Sequence, residues 1–416
     1  MNRLDNNIHQ IATPPTASAK EVPLFLYEFI KSFLYAVYTK KKRFDEFSVI
    51  TMLGMSDLKE MKPNHISLTD EFGSDYFRVS NSHVDATVCY NGTLYQLTLR
   101  RIEDYRDFLQ NYIYILGLEQ RSKSSSELHS FLSKESVSLS PFNNSLIEIK
   151  EPPSNWSEDR KDIFVLPFQL ESDVLNDIFL SQTIRQHIEL FIQTLSNYAL
   201  ANKSLRYLFA GKPGTAKTKI IRAIAQACKG KATFIFTNGN ERRIESLFEF
   251  TELFSPVVLC IDDIDLMTGS RDEGVYTNTL AQLLQKMDGF VKRDFFMLAT
   301  TNDKKLVDLA ASRPGRFDLI LDVNLIHPDL YLSLVKSKTT NENVIALFDS
   351  EILYTMEKKR VTGAFIANLV KHLELVSSFE PNKLTQEYML QMIKESFQGF
   401  YKEPEPTNGK TGFVLA

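Results

Sequence analysis

The chain has 416 residues, 43% of them hydrophobic and 24% charged, enough apolar matter for ordinary cores and too much for a disordered polymer; two domains are expected at this length. Its 48 Lys and Arg against 52 Asp and Glu give a formal net charge of −4, which excludes nucleic-acid binding by bulk positive charge and leaves only local basic patches. Three cysteines, Cys89, Cys228 and Cys260, have neither metal-ligand spacing nor the even count of a disulfide framework, and fit buried thiols in a reducing, cytoplasmic setting.

Residues 1–20 are polar, hold Pro14 and Pro15, and lack the basic-then-apolar layout of a signal peptide, so a flexible arm is expected. The apolar run 23–38 is shorter than the roughly 20 residues of a spanning helix and carries Glu28 and Lys31. It reads as a helix packed on its own domain, with a partner-docking, interfacial or membrane-anchoring role through 23–43 as the lesser alternative. Two apolar-rich runs, 84–90 and 93–99, flank Asn91-Gly92, the pair that supplies the positive φ angles of a tight hairpin. A helix is expected over 105–120, then a Ser-rich stretch at 122–126, a short strand near 146–149 and a break at Pro152-Pro153. His65, His83 and His129 stand apart from acidic or thiol partners and read as structural or surface residues.

From about residue 169 the texture changes. A long amphipathic helix over 181–199 precedes apolar runs at 205–210, 232–237, 257–261 and 295–300, each continuous enough for a buried parallel strand and each followed by a helical pattern. The expected fold is α/β, a P-loop doubly wound parallel sheet with a C-terminal all-α lid, preceded by an α+β N-terminal domain. The expected divisions are a flexible arm at 1–20, a partner-recognition domain at 21–168, the α/β subdomain at 169–327, the lid at 328–402 and a flexible tail at 403–416.

Directly after the first of these strands stand Gly211, Lys212, Pro213, Gly214, Thr215, Ala216, Lys217 and Thr218, and an apolar helix comes next. This is a P-loop in strand-loop-helix context, so loop N–H groups and the positive helix end can hold phosphate oxygens. Lys217 would reach the β- and γ-phosphates, and the Thr218 hydroxyl would ligate Mg²⁺. Ala216 replaces the usual last glycine and can crowd the loop. The third strand ends in Asp262, Asp263, Ile264 and Asp265. At the edge of a buried parallel strand Asp262 can organise Mg²⁺ and Asp263 can polarise the attacking water, whereas the alternative for the pair is a helix cap.

These motifs, with 283–289 (Leu-Leu-Gln-Lys-Met-Asp-Gly), 299–302 (Ala-Thr-Thr-Asn) and 312–318 (Ser-Arg-Pro-Gly-Arg-Phe-Asp), resemble in order and approximate spacing those of the classical AAA ATPases. The resemblance spans about 169–401. It implies ATP and Mg²⁺ as ligands, Asn302 as the sensor of the γ-phosphate, and Arg313 and Arg316 as arginine fingers that complete a neighbouring subunit's site, so that catalysis requires a homo-oligomeric ring, expected to be a hexamer. It also puts Ile178, Gly363 and Ala364 among the nucleotide contacts, although Gly363 can equally be a plain helix-start glycine.

Two departures matter. Asp263 stands where the family carries a glutamate, which shortens its reach by one methylene and leaves room for slow hydrolysis. The segment between the second strand and Asp262 lacks the aromatic-apolar-glycine pore loop of threading unfoldases; Phe248 and Phe250 read as core. In that shortened segment, and in an N-terminal layout of apolar helix, β-rich module with hairpin and helix, and short strand before Trp156, the chain also resembles the AAA translocase type that moves the folded Rieske protein. The expected function is MgATP-driven remodelling or translocation of a protein partner selected by the N-terminal domain. A nucleotide-gated scaffold with little turnover is the alternative, and a nucleic-acid motor, supported only by ring architecture and the basic run 40–43, is the remote one.

Overall fold

The structure, a computed structural model, describes residues 17–53, 83–103, 109–118, 125–150, 164–168, 170, 175, 178–240, 243–268, 279–290, 295–303 and 316–400. Arg313, Trp156, His65, Pro152-Pro153, the arm up to residue 16 and the tail from 401 lie outside them.

The N-terminal part is a five-stranded antiparallel sheet in the order β1-β5-β4-β3-β2, formed by β1 (Ala17–Glu21), β2 (Phe47–Leu53), β3 (Val84–Tyr90), β4 (Thr93–Glu103) and β5 (Leu109–Gly117). The expected hairpin is there, with Tyr90 opposite Thr93 and both turn residues at positive φ. Two expectations fail. The helix expected over 105–120 is strand β5 within 109–117, where Ile113 and Ile115 are buried while Tyr112 and Tyr114 face the other way, a period of two that suits β-branched and aromatic residues. The arm expected up to residue 20 ends earlier, because Ala17–Glu21 pairs with β5 as an edge strand.

Helix α1 (Leu24–Tyr38) and helix α2 (Ser125–Ser138) cover one face of this sheet. α1 takes up the apolar run 23–38, and it is core: Tyr27, Phe29, Ile30, Phe33 and Leu34 are buried, and its Lys31 is buried too, paired to Glu28 at 3.2 Å. Among the described residues no helix is long and apolar enough to cross a membrane.

The second sheet has seven strands in the order β12-β8-β11-β10-β9-β6-β7. Its members are β6 (Leu146–Lys150), β7 (Phe164–Pro167), β8 (Arg206–Ala210), β9 (Thr233–Asn238), β10 (Val257–Asp262), β11 (Phe296–Thr301) and β12 (Leu319–Asp322). Six run parallel and β7 is antiparallel to β6. Successive residues of a strand serve opposite faces: Val258 and Cys260 pack with α3 (Gln182–Ser196) and α5 (Lys217–Ala227), while Leu259 and Ile261 pack with α6 (Ile244–Thr251) and α7 (Thr279–Gln285). α3 is followed by the short α4 (Tyr198–Ala201).

The face that holds α6 and α7 is continuous with the N-terminal core. Phe25 of α1 meets Phe250 of α6 at 4.5 Å between ring centroids, and Phe29 meets Phe142 at 5.8 Å and Phe254 at 6.3 Å. The short strand expected near 146–149 therefore belongs to the second sheet as its parallel neighbour to β9. The lid is a bundle of α8 (Tyr331–Lys338), α9 (Glu342–Ala346), α10 (Ser350–Lys358), α11 (Gly363–Phe379) and α12 (Gln386–Phe400) around its own core.

Candidate nucleotide-binding site

The site forms where β8, β10 and β11 end, at the carboxyl edge of the parallel sheet. Strand β8 delivers Gly211, and α5 begins at Lys217, so the first-turn N–H groups of α5 and its positive end open on the loop. Gly214 and Ala216 both adopt left-handed backbone, φ +79° and +71°. Glycine is required at 211, where a Cβ would stand 2.4 Å from the Val323 carbonyl oxygen. At 214 a Cβ would fall 2.9 Å from Thr362 Oγ1 at the head of the lid. Ala216 occupies its left-handed position with no glycine to relieve it.

Lys217 is buried, and its Nζ donates to the carbonyls of Gly211 (2.8 Å) and Lys212 (3.1 Å) and to Asn302 Oδ1 (2.8 Å). Burial pulls its pKa down, against the opposing pull of Asp263, Asp262 and Asp265. Thr218 Oγ1 reaches both carboxylate oxygens of Asp262, at 3.0 and 2.9 Å. Asp263 accepts from Asn302 Nδ2 at 2.7 Å, and the Asn302 N–H donates to Asp265 Oδ1 at 3.0 Å. Burial first, then the neighbouring Asp262 and Asp265, raise the Asp263 pKa. The helix-cap alternative for the acid pair finds no support here, since the next element is the short 3₁₀ turn Ile264–Thr268 and both carboxylates bond side chains instead.

A cavity of about 380 Å³ runs from these groups to the lid, lined by Ile178, Phe179, Pro213 to Lys219, Asp263, Asn302, Asn324, Ile326, Leu334, Lys338, Gly363, Ala364 and Ala367. The Ala364 N–H donates to the Gly214 carbonyl at 3.4 Å, which ties the first turn of α11 to the phosphate loop. Gly363 has only Leu334 Cδ2, 3.7 Å away, near its Cβ direction. A second cavity of about 620 Å³ adjoins the first on the side of Lys212, His327 and Arg360, sharing Thr215, Asn302, Asn324 and Ile326. The smaller one holds the phosphate-loop lysine and Asp263 beside Asn302, which makes it the candidate nucleotide cavity.

The donor set at Thr218 and Asp262 suits Mg²⁺: all oxygen, one hydroxyl and one carboxylate. The Arg316 guanidinium lies apart from these groups, in a bidentate pair with Asp288 of its own chain, Nε to Oδ1 at 2.9 Å and Nη2 to Oδ2 at 2.6 Å, and that bond raises its pKa. Two contributors, Thr300 and Gly239, meet their partners only through strand register, and the doubled threonine before Asn302 is the sole local hint; Asp265 and Asp288 lie in turns within runs the sequence already marks.

Residues 207–325 match the family described as "ATPase family associated with various cellular activities (AAA)". The chain carries an AAA ATPase domain. It is 32% identical to proteasome-activating nucleotidase 2 of Halobacterium salinarum over 179 residues, 39% of this chain and 43% of that one. It is 29% identical to a putative cell division cycle ATPase of Plasmodium falciparum over 273 residues, 57% of this chain and 21% of that one. It is 32% identical to the ATP-dependent zinc metalloprotease FtsH of Heterosigma akashiwo over 193 residues, 42% of this chain and 28% of that one. The chain thus spans less than half the length of these curated relatives. Within the AAA domain, the connection from β9 to β10 is α6, and Phe248, Phe250 and Phe254 are all buried; none is available as a grip on an extended chain.

Proposed function

We propose that this protein binds and hydrolyses MgATP in a homo-oligomeric ring, a hexamer, in the cytoplasm, and couples turnover to remodelling or moving a protein partner selected by its N-terminal part. In the same proposal the partner-recognition part gives way to the α/β subdomain before β6, because β6 and β7 belong to the nucleotide sheet, and the lid covers 328–402. The observation that carries it is the buried Lys217 ammonium, held between the phosphate-loop carbonyls and Asn302 beside the Thr218–Asp262 pair.

In this reading Lys217 and the loop N–H groups bind the β- and γ-phosphates, Ile178, Gly363 and Ala364 border the base and ribose, and Asn302 and Asp263 orient and deprotonate the attacking water. Thr218 and Asp262 hold Mg²⁺, which when bound neutralises phosphate charge. Arg316, with Arg313, serves the neighbouring subunit's γ-phosphate, which requires Arg316 to exchange its bidentate pair with Asp288 for the phosphate. Buried aromatics in α6 favour a client handled through the N-terminal sheet over one threaded by a pore loop. Names among the relatives that refer to proteasome activation and proteolysis are in keeping with a protein client.

Titration with a fluorescent ATP analogue tests the binding step: Lys217→Ala is expected to weaken it by about a hundredfold or more. Arg316→Ala is expected to bind as wild type and lose about a thousandfold in turnover. Undiminished turnover in Arg316→Ala would refute the ring mechanism, and intact binding with no turnover in wild type would leave the nucleotide-gated scaffold.

A further inference from the structure

Asp263 stands where the AAA family carries glutamate, and on an ordinary backbone it would fall one methylene short. The backbone is not ordinary: Asp263 has φ +51°. Aspartate and asparagine enter the left-handed region several times more readily than most L residues, because a short polar side chain can bond locally. Three contacts hold the turn. The Asp263 N–H donates to Thr300 Oγ1 at 2.8 Å, and the same hydroxyl donates to Asp262 Oδ1 at 2.5 Å, so one fully buried threonine fixes both acids. Behind the turn, the Gly239 N–H donates to the Asp262 carbonyl at 2.8 Å, and a Cβ at 239 would stand 2.0 Å from the Asp263 carbonyl oxygen and 2.9 Å from Leu266 Cβ. In front, Asn302 Nδ2 already reaches Asp263 Oδ1 at 2.7 Å.

We propose that Thr300 and Gly239 are positioning residues that set the backbone at 263 for aspartate, so that Asp263 is a better base in this chain than a glutamate would be. The inference rests on the hydrolysis reading above. In that reaction a water oxygen bonds to the γ-phosphorus while the bond from that phosphorus to the bridging oxygen breaks. The electron pair of that bond leaves with ADP, and the water proton passes to the Asp263 carboxylate and then to the released phosphate. A glutamate carboxylate, carried one C–C bond or about 1.5 Å further, overshoots Asn302 and lacks the local bonding that makes aspartate at home in left-handed backbone.

The test compares full-length wild type with Asp263→Glu, Thr300→Val, Gly239→Ala and Thr300→Ser, measuring kcat for ATP and, separately, affinity for a fluorescent ATP analogue with Mg²⁺. The first three variants are expected to lose about ten- to a hundredfold in kcat, with analogue affinity within about twofold of wild type. Thr300→Ser keeps the hydroxyl and is expected to retain most of the wild-type kcat. Asp263→Glu turning over at the wild-type rate or faster overturns this inference and leaves the hydrolysis reading standing, as does Thr300→Val at the wild-type rate. A wild type that binds the analogue and hydrolyses nothing overturns both.

Discussion

Ala216 sits at φ +71° in the turn that feeds α5, a conformation that costs an L residue about 1–2 kcal/mol and glycine almost nothing. Against that gain, glycine gives the unfolded chain extra freedom worth roughly 0.5–1 kcal/mol. Ala216→Gly is therefore expected to stabilise the protein by about 0.5–1 kcal/mol, seen as a higher urea midpoint at unchanged slope. His129 makes a second residue-scale case. It is buried in α2 with Lys20 Nζ 3.4 Å from Nδ1 and no partner for Nε2 among the described residues; burial, then the Lys20 charge, lowers its pKa to about 4. Above about pH 6.5 the ring is neutral in both states and contributes nothing. Between about 6.5 and 4 the unfolded chain takes up a proton that the folded one refuses, so stability falls as pH falls. The unfolding free energy from urea titration should drop over that range, by on the order of 1 kcal/mol, and the drop should shrink in His129→Gln. The phosphate loop is legible in the sequence because its eight residues are contiguous. Thr300 and Gly239 are not, because Thr300 reaches Asp262 only through the register that pairs Ile261 with Ala299, and Gly239 reaches Asp263 only through the pairing of Asp262 with Asn238.

At the scale of elements, hydrophobic runs of one period are legible and mixed ones are not. The four runs after residue 205 become β8 to β11 because each is apolar on both faces and flanked by a helix. β5 reads as a helix because buried Ile113 and Ile115 alternate with half-buried tyrosines, so no polar face marks the strand period. β12, four residues long, gives too short a pattern to read. Helix α1 shows what tertiary context adds: its sequence reads as a helix packed on its own domain, and the structure supplies the surface it packs on, part of which is α6. Phe250 lies between Phe25 and Phe254, at 4.5 and 5.2 Å. Phe250→Ala should therefore destabilise the protein by about 3–5 kcal/mol, with protection against amide exchange lost together in α1 and α6; loss confined to α6 would show that the two helices are energetically separate.

Across the whole molecule, the fold class is readable because strand and helix patterns alternate, and the lid because residues beyond 330 carry helical periodicity alone. The junction between the two halves is not, because it is made by pairing rather than by composition. β6 and β7 precede the change of texture yet extend the nucleotide sheet past β9, with Leu146 opposite Phe234 and Glu148 opposite Phe236. Thr233 is bonded to the same stretch, donating to the Phe142 carbonyl at 3.1 Å and accepting from the Asn144 N–H at 2.9 Å. Anyone excising the ATPase half for recombinant work at the apparent seam near residue 169 would thus shear two strands from it. The bare rim of β9 that remained, with its apolar Phe234, Ile235 and Phe236, would invite self-association and poor solubility. A cut upstream of Phe142 keeps that rim sheathed.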